Sequence, residues 1–501
     1  MTDSESSGRA QTGIPGLDDV LGGGLPRNLL YVVQGSPGAG KTTIGLQFLI
    51  AGREAGERGL YVSLSETGEE LRAAARSHGW SLDGIDIHEV LPPENVSAEA
   101  ENTLFHPAEI ELSETTGAII REIERVGPTR LVIDSLSEIR LLAQSPLRYR
   151  RQILSLKQFL SGRRCTYFFL DEAGNEEGDL HLQTISHGVL RLEQLAPLYG
   201  AERRRLRILK LRGLQFRGGY HDFKIETGGI AVFPRLIAAE HLQPSTGGTM
   251  ASGVAPLDSL LGGGVDRGTT TLIMGPAGTG KSVITSQYAS AAAARGEHVM
   301  MITFDEGPGT LLRRTEALGI PFQKFVENGT IRIRQIDPAE LSPGEFTHMV
   351  RRAVDQDGAR LVVIDSLSGY FNAMPEERLL TVQLHELFTF LRQKSVVVLL
   401  TLPQHGFLGP TVGAPIEVSY LADTVLLLRY FEADGEIRKA ISVIKKRSGV
   451  HEPFIRELAM DSSGLRVGPP LRGFQGVLSG TPTYAGDALT LMKSRDASRN
   501  S

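Results

Sequence analysis

The chain carries one long pattern twice. TGIPGLDDVLGGGLPRN, beginning at Thr12, returns as SGVAPLDSLLGGGVDRG at Ser252, and the glycine-rich stretches that follow start at Gly35 and Gly275, 240 residues apart. Later landmarks drift little: Asp134 and Asp365 are 231 apart, Lys210 and Lys445 are 235 apart. Solenoid units repeat at roughly 20–50 residues, so a period of this size is a duplicated domain. The reading is residues 1–10 disordered, a first domain over 11–238, a second over 239–485 and a flexible tail over 486–501. The linker is sought in QPSTGGT, Gln243–Thr249, whose Pro, Ser, Thr and Gly content suits a turn-rich connection.

Each copy alternates apolar runs with helical segments. Leu29–Gln34 and Thr270–Met274 read as first strands, Leu60–Leu64 and His298–Phe304 as second, Arg130–Ile133 and Arg360–Ile364 as third, and Tyr167–Leu170 and Val396–Leu400 as fourth. Strands that are apolar nearly throughout, separated by helices, belong in a parallel sheet covered on both faces. The expected fold class is therefore α/β: two tandem RecA-like P-loop domains, each a mainly parallel sheet flanked by helices.

GSPGAGKT and GPAGTGKS both satisfy G-x-x-x-x-G-K-[ST], and each follows a predicted strand. In the first loop the residues assigned to ATP are Gly35, Ser36, Pro37, Gly38, Ala39, Gly40, Lys41, Thr42 and Thr43. In the second they are Gly275, Pro276, Ala277, Gly278, Thr279, Gly280, Lys281 and Ser282. Glycines let backbone N–H groups turn inward around phosphates, and a helix N-terminus favours negative charge. Lys41 and Lys281 reach the β/γ-phosphates, while the Thr42 and Ser282 hydroxyls bind Mg2+. Asp134 and Asp365 end the third strands in RLVIDSLS and RLVVIDSLS, the place of a Walker-B aspartate that holds the same ion.

The second strands end in Ser65 and Glu66 in one copy, Asp305 and Glu306 in the other. A carboxylate there lies beside the phosphates and can orient or deprotonate an attacking water or hydroxyl. Glu66, Asp305 and Glu306 are the catalytic candidates, and the single acid of the first copy makes the two sites unequal. Farther on, ERRRLRILKLRG and IRKAISVIKKRSG read as strands with basic ends. Strict alternation puts Leu206, Ile208, Lys210 and Arg212 on one face, and likewise Ile441, Val443, Lys445 and Arg447. Such pairs can neutralise phosphate, either on a neighbouring subunit's nucleotide or on nucleic acid.

Both P-loops, both IDSLS strands, ILKLRG at Ile208–Gly213, ADTVLLLRYFE at Ala422–Glu432 and RGFQGVLSGTPT at Arg472–Thr483 together resemble the KaiC family over nearly the whole chain. These are the tandem-domain ATPases and autokinases of the bacterial circadian clock. The resemblance implies a homohexamer with ATP between neighbours, where Lys210, Leu211, Arg212, Lys445, Lys446 and Arg447 approach the next subunit's nucleotide. It also implies slow hydrolysis by the first domain and serine/threonine autophosphorylation by the second. The clock proteins place adjacent Ser and Thr acceptors before their aspartate-threonine strand. This chain has VSYLADT, so Ser419 is the candidate phosphoacceptor and Tyr420 replaces the threonine. A two-step phosphorylation cycle does not carry over, nor does a KaiA-like activator, because the tail after Thr483 differs. The protein partners to consider are a KaiB-like protein or a signalling kinase, with a docking site sought in Pro92–Glu114.

Composition narrows the alternatives. The net charge of −5 and a 6% aromatic content disfavour a DNA motor of the RadA or DnaB type, as does a single cysteine, since a RadA zinc finger needs four. Cys165 reads as a core thiol, and the histidines show no ligand spacing that proposes zinc. MTDSESSGRAQ has no signal-peptide character, and no run approaches the ~18 apolar residues of a membrane helix. We therefore expect a cytoplasmic protein. A nucleotide-gated scaffold that transfers phosphate nowhere remains the alternative to the autokinase, kept open by Ser65 and Tyr420.

Overall fold

The computed structural model describes residues 8–90, 107–173, 176–197, 200–241, 247–337, 339–372, 380–404, 420–433, 435–478 and 483–484. The chain divides between Arg235 and Leu236, three residues before the boundary expected after residue 238. Leu236 and Ala238 pack into the core of the second unit, which is why the division falls ahead of them. The start read as disordered over 1–10 is corrected at residues 9–10, while 1–7 lie outside the described residues. Arg9–Ala10 pairs with Leu25–Pro26, and Ala10 is fully buried.

The first unit contains β1 (Leu30–Gly35), β2 (Gly59–Ser63), β3 (Ile85–Glu89), β4 (Arg130–Asp134), β5 (Thr166–Glu172), β6 (Gly188–Leu195), β7 (Arg203–Leu211), β8 (His221–Glu226) and β9 (Gly229–Phe233). They form one sheet in the order β9-β8-β7-β6-β1-β5-β4-β2-β3. From β6 to β3 every pairing is parallel, and β7, β8 and β9 extend the sheet antiparallel. Period-2 alternation sends Tyr31 and Val33 to one face, under α1 (Lys41–Glu54) and α2 (Gly68–Ser77). Leu30 and Val32 go to the other, under α3 (Pro107–Val126), α4 (Pro146–Leu160) and α5 (Glu176–Ile185).

The second unit repeats the plan with β10 (Thr270–Gly275), β11 (His298–Thr303), β12 (Ile331–Gln335), β13 (Ala359–Asp365), β14 (Val397–Pro403), β15 (Thr424–Ala433), β16 (Glu436–Lys446), β17 (Arg456–Asp461) and β18 (Gly464–Pro470). Their order is β12-β11-β13-β14-β10-β15-β16-β17-β18, again parallel as far as β15 and antiparallel beyond. α6 (Lys281–Ala294) and α7 (Pro308–Ala317) cover one face, α8 (Pro343–Asp355) and α9 (Leu380–Gln393) the other. The mainly parallel tandem architecture is thus as expected, and all the strands read from the sequence are present.

The basic strand ends depart from strict alternation. The register of β7 on β6 slips at Leu209, where Lys210 opposes Val189 and Ile208 opposes Leu190. That β-bulge reverses the phase, so Leu206, Ile208 and Leu211 share the α1 face while Leu209 turns to the other. Lys210 therefore does not follow Ile208, and its ammonium reaches the carbonyls at the end of α5. β16 slips at the equivalent place, around Ile444. Lys446 joins the inward face there, its side chain 2% exposed and paired with Asp266 at 3.3 Å.

One support of the first unit has no twin. Arg130, 1% exposed, donates to Glu57 at 2.6 Å and to the carbonyls of Gln11 and Phe48 at 2.7 Å each. Its guanidinium lies 4.6 Å from the centre of the Phe48 ring, which is itself stacked on Phe168. Gly52 makes room for it, since a Cβ there would meet Arg130 Cδ at 2.4 Å. The corresponding positions of the second unit are Leu361 and Ala292, both fully buried.

Candidate active sites

Each phosphate loop runs from the end of a central strand into a helix, β1 to α1 and β10 to α6. Gly38 and Gly40, like Gly278 and Gly280, hold positive φ angles between 77° and 106°, which bend the loop around its own N–H groups. Neither helix is capped by a side chain, and neither has an acid in its first turn. The amides that open a helix are thereby left pointing at an anion site. Lys41 Nζ lies over the loop, donating to the carbonyls of Gly35 (2.9 Å) and Ser36 (3.0 Å). Lys281 does the same to Gly275 (2.8 Å) and Pro276 (2.7 Å). Burial lowers the proton affinity of both ammonium groups, opposed at Lys41 by Glu172, Asp134 and Asp171 and at Lys281 by Asp365.

In the first site the Thr42 hydroxyl donates to Asp134 at 2.9 Å, bringing loop and third strand together at the foot of the lysine. The Tyr61 hydroxyl donates to the same carboxylate oxygen from β2. A hydroxyl and one carboxylate fall short of an all-protein metal cage. They suit Mg2+, which keeps waters and takes phosphate oxygens. In the second site Asp365 ends β13 in the same way and accepts from Thr401, at the end of β14.

The catalytic candidates stand at the same sheet edge. Glu66 follows β2, held by its backbone N–H on Ser63 Oγ at 3.0 Å, and Thr67 then opens α2 with a capping box to Glu70. Burial raises the Glu66 carboxyl above the ordinary range, and the charges of Asp134 and Glu70 add to this. Asp305 accepts from Ser366 Oγ at 3.2 Å. Glu306 is also raised by burial and by Asp365, while Arg314 opposes, paired to its Oε2 at 2.6 Å.

The residues named for a neighbour's nucleotide lie elsewhere. β7 runs antiparallel to β6, with Leu211 beside Gly188, whereas Gly35 of the P-loop is level with Leu192. At about 3.3 Å per residue, the basic end is roughly 13 Å along the sheet from its own loop. Lys210 and Arg212 donate to the carbonyls of Ser186 and Thr184, each at 2.8 Å. Lys445 and Arg447 donate to those of Ala422 and Tyr420 at 2.8 and 2.9 Å. Leu211 and Lys446 turn their side chains into their own domain.

Ser419 lies outside the described residues, as do residues 92–106 of the segment considered for docking. The sequence reading missed Tyr61, Thr401, Arg314 and the acids Asp171 and Glu172 that flank Lys41. Asp171, Glu172 and Thr401 end predicted fourth strands, so their edge was readable but not their aim. Cys165 is buried, its thiol pushed up to about 12, and Trp80 packs at the edge of the core. Among the described residues no helix is long and apolar enough to cross a membrane.

Comparison with known proteins points one way. A family model described as a KaiC ATPase matches residues 10–237 and again 250–472. The chain is 28% identical to "Circadian clock protein KaiC3" of Synechocystis sp. over 97% of both chains. It is 29% identical to "Circadian clock oscillator protein KaiC" of Thermostichus vulcanus, over 94% of this chain and 91% of that one. It is 28% identical to the protein of the same name from Synechococcus elongatus, over 96% and 93%.

Proposed function

The chain belongs to the KaiC ATPase family, and from that premise we propose that it forms a regulatory hexamer, hydrolysing ATP in its first domain and phosphorylating its own Ser419 with its second. The observation that carries the hydrolytic half is the Thr42–Asp134 contact at the foot of the Lys41 loop, with Glu66 beside it. Lys41 and Lys281 neutralise the β/γ-phosphates. Thr42 with Asp134, and Ser282 with Asp365, would hold Mg2+, which supplies charge neutralisation between the phosphates. Glu66 takes the proton of a water. Glu306, assisted by Asp305, takes the Ser419 hydroxyl proton across a subunit boundary.

The ring is supported by the basic ends. Lys210, Arg212, Lys445 and Arg447 stand on the sheet edge away from their own loops, where a neighbour's phosphates fit better than their own, and Leu211 and Lys446 offer that neighbour main chain. They act there as charge stabilisers resembling arginine fingers. The assembly works in the cytoplasm and reports its state to a KaiB-like protein or a signalling kinase.

Incubation with γ-labelled ATP, followed by mass spectrometry of wild type and Ser419→Ala, tests the kinase half. We expect label on Ser419 only in the wild type; hydrolysis without label on Ser419 reduces the second copy to an ATP-binding scaffold. Sedimentation in saturating ATP should give a hexamer, and a monomer there sinks the ring.

A further inference from the structure

The two catalytic carboxylates differ in what holds them. α2 and α7 are in the same register after their strands: Leu71 and Leu311, 240 residues apart, are both fully buried. Three residues on, at a half-buried position, the first copy has Ala74 and the second has Arg314. Arg314 Nη1 donates to Glu306 Oε2 at 2.6 Å, a charge-assisted bond that draws the carboxylate along α7. Its Nε and Nη2 are buried with no acceptor among the described residues, so Glu306 is the anchor that keeps this guanidinium in place. Arg314 lowers the Glu306 carboxyl, while burial and the charge of Asp365 raise it, so the arginine is the one group that weakens this base.

Resting on the reading of Glu306 as the second site's base, we propose that Arg314 is a positioning residue that restrains Glu306 through an ion pair the first site lacks. A carboxylate oxygen engaged with a guanidinium is a weaker base and is turned from the hydroxyl or water it must reach. Glu66, with Ala74 at the corresponding position, is not held this way. The restraint slows proton abstraction at the second site without touching the groups that hold the phosphates.

The test is nucleotide turnover by the full-length protein, measured as ADP formed, with kcat and KM separated. In a Lys41→Ala background, which leaves the second site to be read, Arg314→Ala should raise kcat by roughly threefold to tenfold with KM for ATP little changed. Arg314→Lys should behave like the parent, and Glu306→Gln should cancel the gain. In a Lys281→Ala background, Ala74→Arg should slow the first site by a similar factor. A fall or no change in kcat for Arg314→Ala overturns the restraint. Should that variant not fold, an unchanged first site in Ala74→Arg overturns it instead. If Glu306→Gln alone leaves second-site kcat intact, the base assignment has failed and the restraint falls with it.

Discussion

Set side by side, the two nucleotide sites share the groups placed for phosphate and metal and differ in the groups that touch those. Asp134 receives hydroxyls from Thr42 and Tyr61, whereas Asp365 receives Thr401. Lys41 faces Glu172, Asp134 and Asp171, and Lys281 faces Asp365. Glu306 is tied to Arg314, while the first copy has Ala74 at that place. On the proposed function, the loop, lysine and strand aspartate meet a triphosphate and its metal, whose geometry would fix them. Their neighbours set only charge and basicity, so they could diverge and give one module two rates.

The largest way to break this comparison is to remove one lysine. Lys41→Ala should abolish binding at the first site at micromolar ATP, and calorimetry should show the stoichiometry fall from two nucleotides per chain to one. Lys281→Ala should do the same for the second site. If either variant loses both sites, the copies are not independent binders.

Arg130 comes next. Arg130→Ala removes one of the two guanidinium partners of Glu57, Arg27 being the other, and a charged donor to the Gln11 and Phe48 carbonyls, which should cost about 3 kcal/mol. Denaturant unfolding should show the first domain melting early while the second, with Leu361 in that place, is unmoved. A single unshifted transition would mean that the Arg130 network adds little.

Glu66→Gln should lower first-site turnover by roughly a hundredfold or more with nucleotide still bound, seen as ADP formation in the Lys281→Ala background. Undiminished turnover would take the base role from Glu66. The smallest effect concerns helix starts. Thr67 caps α2 with its side chain, but Gly307 stands before α7 without one. Thr67→Ala should therefore cost about 1 kcal/mol in the first domain, read from the same denaturant curves. A loss of several kcal/mol would show that the cap also holds Glu66.

Much of this was legible in the residues. Apolar strands, loop glycines and the aspartates of RLVID and LVVID occupy positions whose chemistry is set by a few neighbours in sequence, so the sequence itself groups Lys41, Thr42 and Asp134, and Thr42 does meet Asp134. What was not legible depended on contacts across the sheet. Thr401 reaches Asp365 from another strand, and Tyr61 is an apolar-looking core residue until its hydroxyl is found on Asp134. Arg314 carried no signal, because nothing in its own turn names Glu306 as its partner. The antiparallel extensions β8 and β9 were also unread, since HDFKIE and GIAVF are short and lie outside every motif of the first domain.

The extra residue in β7 has a consequence for how this strand can be shortened or lengthened. Leu209 acts as a phase shifter: upstream of it one parity of residue number faces α1, downstream the other does. Deleting Leu209 alone would remove the bulge and leave every registered pair in place, Ile208 on Leu190, Lys210 on Val189 and Leu211 on Gly188, so the side chains beyond it keep their faces. A deletion scan through Arg203–Leu211 would meet its barrier at the paired residues, because each single loss there inverts one side of the strand relative to the other. At those positions only losses of two residues keep the parity. Length in β7, and in β16 with its matching slip at Ile444, is thus counted in pairs everywhere except at the bulge itself.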